Sequence, residues 1–375
     1  MHVTCTPVLR HLVNKLYSKY VRGDDQEFLS FIFAKNPTQE SLDHCLSVCD
    51  IEALGAGKCI LLSYLIHNNP KLKLSKYAGP RINGLITYYR FANMKTLSHF
   101  SRIGKAYNAA GISMLLFKGG AMKVLRPELP RPMGDVDILI PANRIEEATR
   151  IGEGLGYLHY KEESKHAVDF HTETESAVDV HHSIFDPGKD LKQFHDGLFA
   201  RATPRRAFGV DFLLPCHEDL CFLVMSNLTK NLREHTSLGN LYYALCDCQY
   251  LQKAPSFDWG LVWKDAVACG RELEIRFAAE FMNAIVADTI PDLDRHFPAS
   301  SAMEAFCNQV IFDEDYFLPR QKECLAIRVV ELKNNPWKFG SFIAKFLLMK
   351  KLRHNPAFVD WYLRKQCPQE FRDAH

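Results

Sequence analysis

The sequence predicts a mixed α+β protein, in which a small mixed β-sheet lies between helical N-terminal and C-terminal regions. Apolar residues recur at steps of three and four through much of 1–110 and 216–375, which is the period of a helix. Residues 111–215 instead contain short apolar or alternating runs bounded by glycine and proline, a pattern typical of strands. We therefore predict a helical N-terminal region (1–110), an α/β core (111–215) and a helical C-terminal region (216–375).

The elements of the core follow in order along the chain. A short strand in ISMLLFK, which begins at Ile112, leads through Gly119 and Gly120 into a helix in AMKVLR. After a proline-rich break, DVDILI alternates acidic and aliphatic residues like a half-buried strand. A helix over 143–156 comes next, and the β-rich segments GYLHYK, HAVDFHTE and SAVDVHHSIF follow it.

The composition is that of an ordinary globular protein, with 375 residues of which 47% are apolar and 24% charged. A net charge of +2 provides no field for gripping a long polyanion, so nucleic acid is a less favoured partner. A basic stretch over 338–365 is interpreted either as a solvated helix face or as a surface for phosphate or membrane. No transmembrane segment is predicted, because no apolar run reaches the roughly 20 residues that a spanning helix needs.

Twelve cysteines without a secretory leader indicate reduced thiols, and hence a cytoplasmic protein. One group of them approaches a zinc signature: Cys216, His217 and Cys221, with Cys246 and Cys248 further on. Neither spacing has the two-residue gap of a zinc knuckle, so we interpret these thiols as packing residues.

Acidic residues on two predicted strands are the candidate catalytic and metal-binding groups. Because side chains alternate along a strand, Asp135 and Asp137 project from one face of DVDILI. Two adjacent carboxylates repel each other unless water or a divalent cation screens them, and Mg2+ prefers such oxygen ligands. The same alternation places Asp179 and His181 on one face of SAVDVHHSI. If these strands are neighbours, three carboxylates converge. His181 then orients Asp179, contacts phosphate, or is simply satisfied by a neighbour.

The turn before the first predicted core helix is a candidate phosphate site. Lys118, Gly119 and Gly120 stand between a strand and a helix, where glycine lets the backbone approach an anion and the helix N-terminus attracts it. A turn for a triphosphate, paired acids for two metal ions and a third acid near the acceptor are the components of nucleotidyl transfer.

These segments, LLFKGGAMKVLRPELPRPMGDVDILIP, then GYLHY, then VDVHHSI, resemble the uncharacterised nucleotidyltransferase family of the DNA polymerase β-like superfamily. The similarity is close over 110–185 and looser over the helical flanks to residue 290. It implies an enzyme that uses an NTP with Mg2+ or Mn2+. The resemblance implies two metal ions. Asp135 and Asp137 would bind both of them, whereas Asp179 would bind one and would orient or deprotonate the acceptor hydroxyl.

The resemblance also assigns residues to the nucleotide. Lys118, Gly119 and Gly120 correspond to the turn of the family, and Arg131 corresponds to its basic position before the acids. The wider superfamily has serine after the glycine, where this chain has Ala121. Lys118, Lys123 or Arg131 therefore compensates for the missing hydroxyl, or the nucleotide sits differently.

The expected reaction moves an NMP, by default AMP from ATP, to a hydroxyl or phosphate of a small-molecule, peptide or protein acceptor and releases pyrophosphate. Two alternatives stay open. One is a noncatalytic nucleotide-binding or scaffold module, which the missing serine motivates. The other is a kinase-like phosphotransferase.

Overall fold

The fold is taken from a computed structural model, which describes residues 13, 21, 24–34, 36–48, 55–159, 166–173, 176–185, 191–233, 238–286 and 289–297. The basic stretch over 338–365 lies outside these residues, as do most of 1–23 and the whole of 298–375.

Among the described residues before the sheet, the regular elements are helices. They are α1 (Asp24–Ile32), α2 (Gln39–Val48), α3 (Ala56–Asn68) and α4 (Ala78–Ala109). In α4, four apolar residues spaced at steps of three and four are all buried: Leu97, Phe100, Ile103 and Tyr107. The helix ends before Gly111, which adopts a left-handed φ of 66° and whose N–H donates to the Asn108 carbonyl at 3.0 Å.

A seven-stranded mixed sheet forms the core. Its strands are β1 (Leu115–Leu116), β2 (Val136–Leu139), β3 (Leu158–His159), β4 (Ala167–His171), β5 (Ser176–His181), β6 (Thr203–Ala207) and β7 (Val210–Leu214). They lie in the order β3-β4-β5-β2-β1-β7-β6. β2 pairs with β5, and β1 with β7, in parallel, whereas the other neighbours are antiparallel. The fold class is therefore mixed α+β, as predicted.

A helix follows each of the two central strands β1 and β2 along the chain. α5 (Lys118–Leu125) follows β1, and α6 (Ile145–Gly154) follows β2 after a short 3-10 turn at Ala142–Arg144. The sequence places Gly119 and Gly120 in a turn before the helix, but both lie in the first turn of α5 itself. Gly120 is required there because a Cβ would stand 2.7 Å from Leu116 Cδ1 and 3.2 Å from Val136 Cγ1.

The hairpin of β6 and β7 was not predicted. Its turn is made by Phe208 and Gly209, both with positive φ (56° and 74°), a backbone shape that a two-residue hairpin turn requires. Phenylalanine rarely adopts such a φ, so the sequence lacks the usual asparagine or aspartate signal. Phe208 is held by Phe100 of α4, whose ring centroid lies 6.4 Å away.

The helix α7 (Lys192–Arg201) lies between β5 and β6 along the chain. The helices that follow β7 are α8 (His217–Arg233), α9 (Leu238–Leu251), α10 (Trp259–Cys269), α11 (Glu272–Ile285) and α12 (Leu293–His296). α8 packs against α9, α10 and α11. α9 packs against α3 as well, where Tyr64 donates to Gln249 Oε1 at 3.1 Å. Within the described residues, none of the helices has both the length and the apolar character needed to cross a bilayer.

Candidate active site

A row of carboxylates crosses three adjacent strands. In the parallel pair β2 and β5, Asp137 lies directly opposite Asp179. In the antiparallel pair β4 and β5, Asp169 lies opposite Asp179 on the other side. Asp135 precedes β2 and shares the face of Asp137, since strand side chains alternate. The three predicted acids therefore meet, because the strands that carry them are neighbours.

The row is buried at one end and open at the other. The side chain of Asp137 is 8% exposed and that of Asp179 is 23% exposed, whereas Asp169 is an exposed residue. The acids thus line a surface that a substrate can reach from the β4 side.

His181 joins the two central acids. Its Nε2 lies 3.1 Å from Asp137 Oδ1 and 2.9 Å from Asp179 Oδ2. Burial would lower the pKa of His181, but the hydrogen bonds to Asp137 and Asp179 outweigh this effect and raise it. The imidazole therefore fixes the orientation of both carboxylates, which is one of the roles that the sequence leaves open for it.

Lys118 contributes a positive charge at the buried end. Its Nζ forms an ion pair with Asp137 Oδ1, the oxygen that His181 also contacts. Lys118 is the first residue of α5 and has a φ of 47°, which is rare for a residue with a side chain. Burial acts to lower the pKa of Lys118, but the charge of Asp137 prevails and raises it.

The pKa values of Asp135 and Asp137 are shifted in opposite directions. Burial, together with the charge of Asp137, raises the pKa of Asp135 to about 7; Asp179 and Asp169 add to this effect. Burial also acts to raise the pKa of Asp137, but Lys118 and His181 overcome it and hold that pKa at about 2. The raised pKa of Asp135 reflects repulsion between the neighbouring carboxylates, which a cation would relieve.

A divalent metal ion fits this donor set. Asp137, Asp179 and His181 each offer a ligand atom, and these atoms lie within 4.8 Å of one another. Asp179 Oδ1 is buried and has no hydrogen-bond partner among the residues that the structure describes. A buried carboxylate oxygen left without a partner is costly, and a hard cation such as Mg2+ is a partner of the right chemistry.

The predicted nucleotide-binding residues divide into two groups. Lys118, Gly119 and Gly120 form the first turn of α5, and Lys118 contacts Asp137. Lys123, by contrast, donates to the carbonyls of Pro127 at 2.7 Å and Leu129 at 2.9 Å. These bonds fix the loop between α5 and β2.

Arg131 lies between the turn and the C-terminal helices. Its guanidinium approaches Gly119 so closely that a Cβ on this glycine would stand 2.5 Å from Nη1. Its Nε donates to Asp247 of α9 at 3.1 Å, and the guanidinium lies 5.1 Å from the centre of the Tyr243 ring. Arg131 therefore supports the start of α5 and anchors it to α9.

Ala121, the departure from the superfamily pattern, is fully buried. Its N–H donates to the Phe117 carbonyl at 3.4 Å, and its methyl group belongs to the core. A serine hydroxyl at this position would therefore need a partner in the core.

The thiols that approach a zinc signature pack instead among helices. Cys221 of α8 and Cys248 of α9 are buried, and their sulfur atoms lie 3.6 Å apart. Cys246, two residues before Cys248, is buried as well. Burial raises the pKa of the Cys246 thiol and disfavours the thiolate that a metal requires. Over the described ranges, the acid and histidine group on β2 and β5 is the candidate metal site.

Sequence reasoning missed two residues. Asp169 had a signal, because HAVDFHTE alternates and places this acid on one face of its strand, but the pairing of β4 with β5 was not foreseen. No sequence signal pointed to Asp247, because an acidic residue within a helical apolar pattern is normally predicted to face solvent. The structure buries it opposite Arg131.

Comparison with known proteins identifies the family. A family model described as an uncharacterised nucleotidyltransferase matches residues 61–287. No curated protein matches the chain. Among solved structures, the solution structure of the antibiotic-resistance factor ANT(2'')-Ia is similar over 50% of this chain and 95% of that chain, at 16% identity and a TM-score of 0.35. The range of the family model exceeds half of the chain and contains the turn, the acids and α9, so this protein belongs to the uncharacterised nucleotidyltransferase family.

Proposed function

We propose that this protein transfers the NMP group of an NTP, with ATP as the default donor, to a hydroxyl or phosphate of a small-molecule, peptide or protein acceptor. In this reaction an acceptor oxygen forms a bond to the α-phosphorus, the bond from this phosphorus to the bridging oxygen breaks, and pyrophosphate leaves. The observation that carries the proposal is the in-register pair Asp137 and Asp179, with Lys118 at the start of α5 beside it.

We assign the donor nucleotide to the α5 side of the acids. The N-terminus of α5 favours an anion, and Lys118 adds a full positive charge at this end. Gly119 and Gly120 serve this end indirectly, because their missing side chains let Arg131, Leu116 and Val136 pack against the first turn of α5. Arg131 holds this turn in place through Asp247, rather than through a contact with the acids.

We assign the acceptor to the β4 side. Asp179 is the carboxylate that would orient the acceptor hydroxyl or remove its proton, and Asp169 extends the acidic surface towards solvent. Asp135, Asp137 and Asp179 would hold Mg2+ or Mn2+, with His181 beside them. Such a cation neutralises charge on the phosphates and polarises the α-phosphorus. We place the reaction in the cytoplasm, consistent with the free thiols among the described residues.

The test is a labelling experiment. The pure protein is incubated with Mg2+, a lysate of its own host as the source of acceptor, and NTP labelled at either the α- or the γ-phosphate. The proposal expects α-label on an acceptor and release of pyrophosphate, both lost in Asp137→Asn and retained in the exposed-residue control Arg206→Ala. Transfer of γ-label would instead establish a kinase-like phosphotransferase. Nucleotide binding without transfer of either label would establish a noncatalytic module.

A further inference from the structure

One oxygen of Asp137 contacts two nitrogen-bearing side chains. Lys118 Nζ pairs with Oδ1, and His181 Nε2 lies 3.1 Å from the same atom. The ammonium is reachable, because the Lys118 side chain is 31% exposed while that of Asp137 is 8% exposed. Lys118 is thus the outer of the two partners.

The ammonium stands where a metal ion would be bound. Asp137 is a member of the group whose ligand atoms lie within 4.8 Å, and a divalent cation there would lie close to any ammonium on the same carboxylate. Two cations on one carboxylate repel each other strongly in a partly buried site. Lys118 and the metal ion must therefore compete for Asp137.

We propose that Lys118 is a resident counter-cation of the acid row, that a divalent metal ion displaces it from Asp137, and that the displaced ammonium then binds the triphosphate. The idea rests on the proposed function, because it assigns the donor nucleotide to the α5 side. Its consequence is cooperativity: the metal ion releases a phosphate-binding group, and the nucleotide retains that group away from the metal site. By linkage, each ligand tightens the binding of the other.

The position of Lys118 suits this exchange. It begins α5, so a movement of its side chain away from Asp137 leaves it at the N-terminus of this helix, where an anion is favoured. Its ammonium also lies 5.3 Å from the centre of the Phe117 ring, and this contact gives it a support that does not depend on the acids. Asp135, Asp179 and Asp169 supply further negative charge near Asp137, which attracts a divalent ion more strongly than a single ammonium.

The test measures Mn2+ binding by electron paramagnetic resonance, without any acceptor. Lys118→Met should bind Mn2+ about tenfold more tightly than the wild type in the absence of nucleotide, because the ammonium that competes with Mn2+ for Asp137 has been removed. A non-hydrolysable ATP analogue should tighten Mn2+ binding in the wild type and much less in Lys118→Met. Lys58→Met is the matched control, because Lys58 pairs with Asp25 at 2.8 Å in a similarly half-buried site.

Equal or weaker Mn2+ binding in Lys118→Met would overturn the exchange while leaving the metal site intact. Absence of Mn2+ binding from both proteins, with and without the analogue, would overturn it together with the metal dependence of the proposed function. Lys118→Gln serves as a second variant if Lys118→Met is poorly folded by circular dichroism. Lys118→Arg keeps the charge, so it should bind Mn2+ without the tightening seen for Lys118→Met.

Discussion

Asp137 and Asp179 occupy the same register position on two parallel strands, and His181 Nε2 contacts an oxygen of each. The site is therefore built on the sheet, where the strand spacing fixes the separation of the two acids. The first prediction therefore concerns Asp137.

Asp137→Asn should abolish NMP transfer while keeping the fold. The amide keeps an oxygen that accepts from Lys118 and His181, but it loses the charge that binds a metal ion. Metal stabilisation of the transition state is worth several kcal/mol, so turnover should fall on the order of a thousandfold. Mn2+ should also raise the thermal midpoint of the wild type but not that of the variant. Asp211→Asn, an exposed acid on β7, is the control, and full activity in Asp137→Asn would contradict the assignment.

Arg131→Ala should destabilise the protein by about 3 to 5 kcal/mol in urea denaturation, the cost of leaving a buried charge without its partner. Asp247 is the charge in question, and burial raises its pKa even with Arg131 present. Arg206→Ala removes a pair in which the side chains are 71% and 61% exposed, and it should cost less than about 1 kcal/mol. Adding Asp247→Asn to Arg131→Ala should recover part of the loss. A loss no larger than that of Arg206→Ala would show that the pair does not anchor the turn.

Gly152→Ala and Gly154→Ala should have opposite effects, although both lie in the last turn of α6. A Cβ on Gly152 would overlap the ring of Phe170, which is fully buried, whereas a Cβ on Gly154 meets nothing within 4 Å. We expect Gly152→Ala to lower the free energy of unfolding by about 1 to 3 kcal/mol through overpacking. Gly154→Ala should raise it by up to about 1 kcal/mol, because alanine favours the helix. Similar values for the two variants in chemical denaturation would show that Phe170 moves aside.

The stability of the fold should depend on pH through an ion cluster that lies away from the acids of β2, β4 and β5. Arg201 of α7 pairs with Asp219 of α8 at 2.5 Å and with Asp265 of α10 at 2.9 Å. Burial, with a hydrogen bond to Asp219, raises the pKa of Asp265 to about 7 even though Arg201 opposes the shift. The folded state then binds a proton that the unfolded chain has released, so this group stabilises the fold at acidic pH. Its contribution is lost as pH rises from about 4 to about 7.

Comparison with Asp265→Asn isolates this effect, because the amide stays neutral at every pH. The difference in unfolding free energy, variant minus wild type, should increase between pH 4 and pH 7 and level off above. A flat difference across that range would contradict the raised pKa.

Much of the site followed from the sequence because strand alternation is a local rule. It placed Asp135 with Asp137, and Asp179 with His181, and the pairing of β2 with β5 then brought the two faces together. The strand that carries Asp137 followed from short-range signals in the same way.

The rest depended on contacts between distant parts of the chain. Asp247 is separated from Arg131 by 116 residues, and nothing local in a helix tells a buried acid from a solvated one. The β6–β7 turn uses Phe208 at a positive φ, which tertiary contacts impose against the preference of the residue. Lys123 reads as a phosphate ligand by its nearness to the glycines, yet it bonds to the loop that follows its own helix.

The parallel pairing of β2 and β5 has a consequence for the segment of chain that joins these two strands. Parallel neighbours cannot be joined by a tight turn, so after β2 the chain passes through α6 and the outer strands β3 and β4 before β5 supplies the third acid. This excursion lies on the side we assign to the acceptor. Because the register of β2 and β5 sets the spacing of Asp137 and Asp179, a change in the length or composition of this connection would leave the spacing of the two acids unaltered.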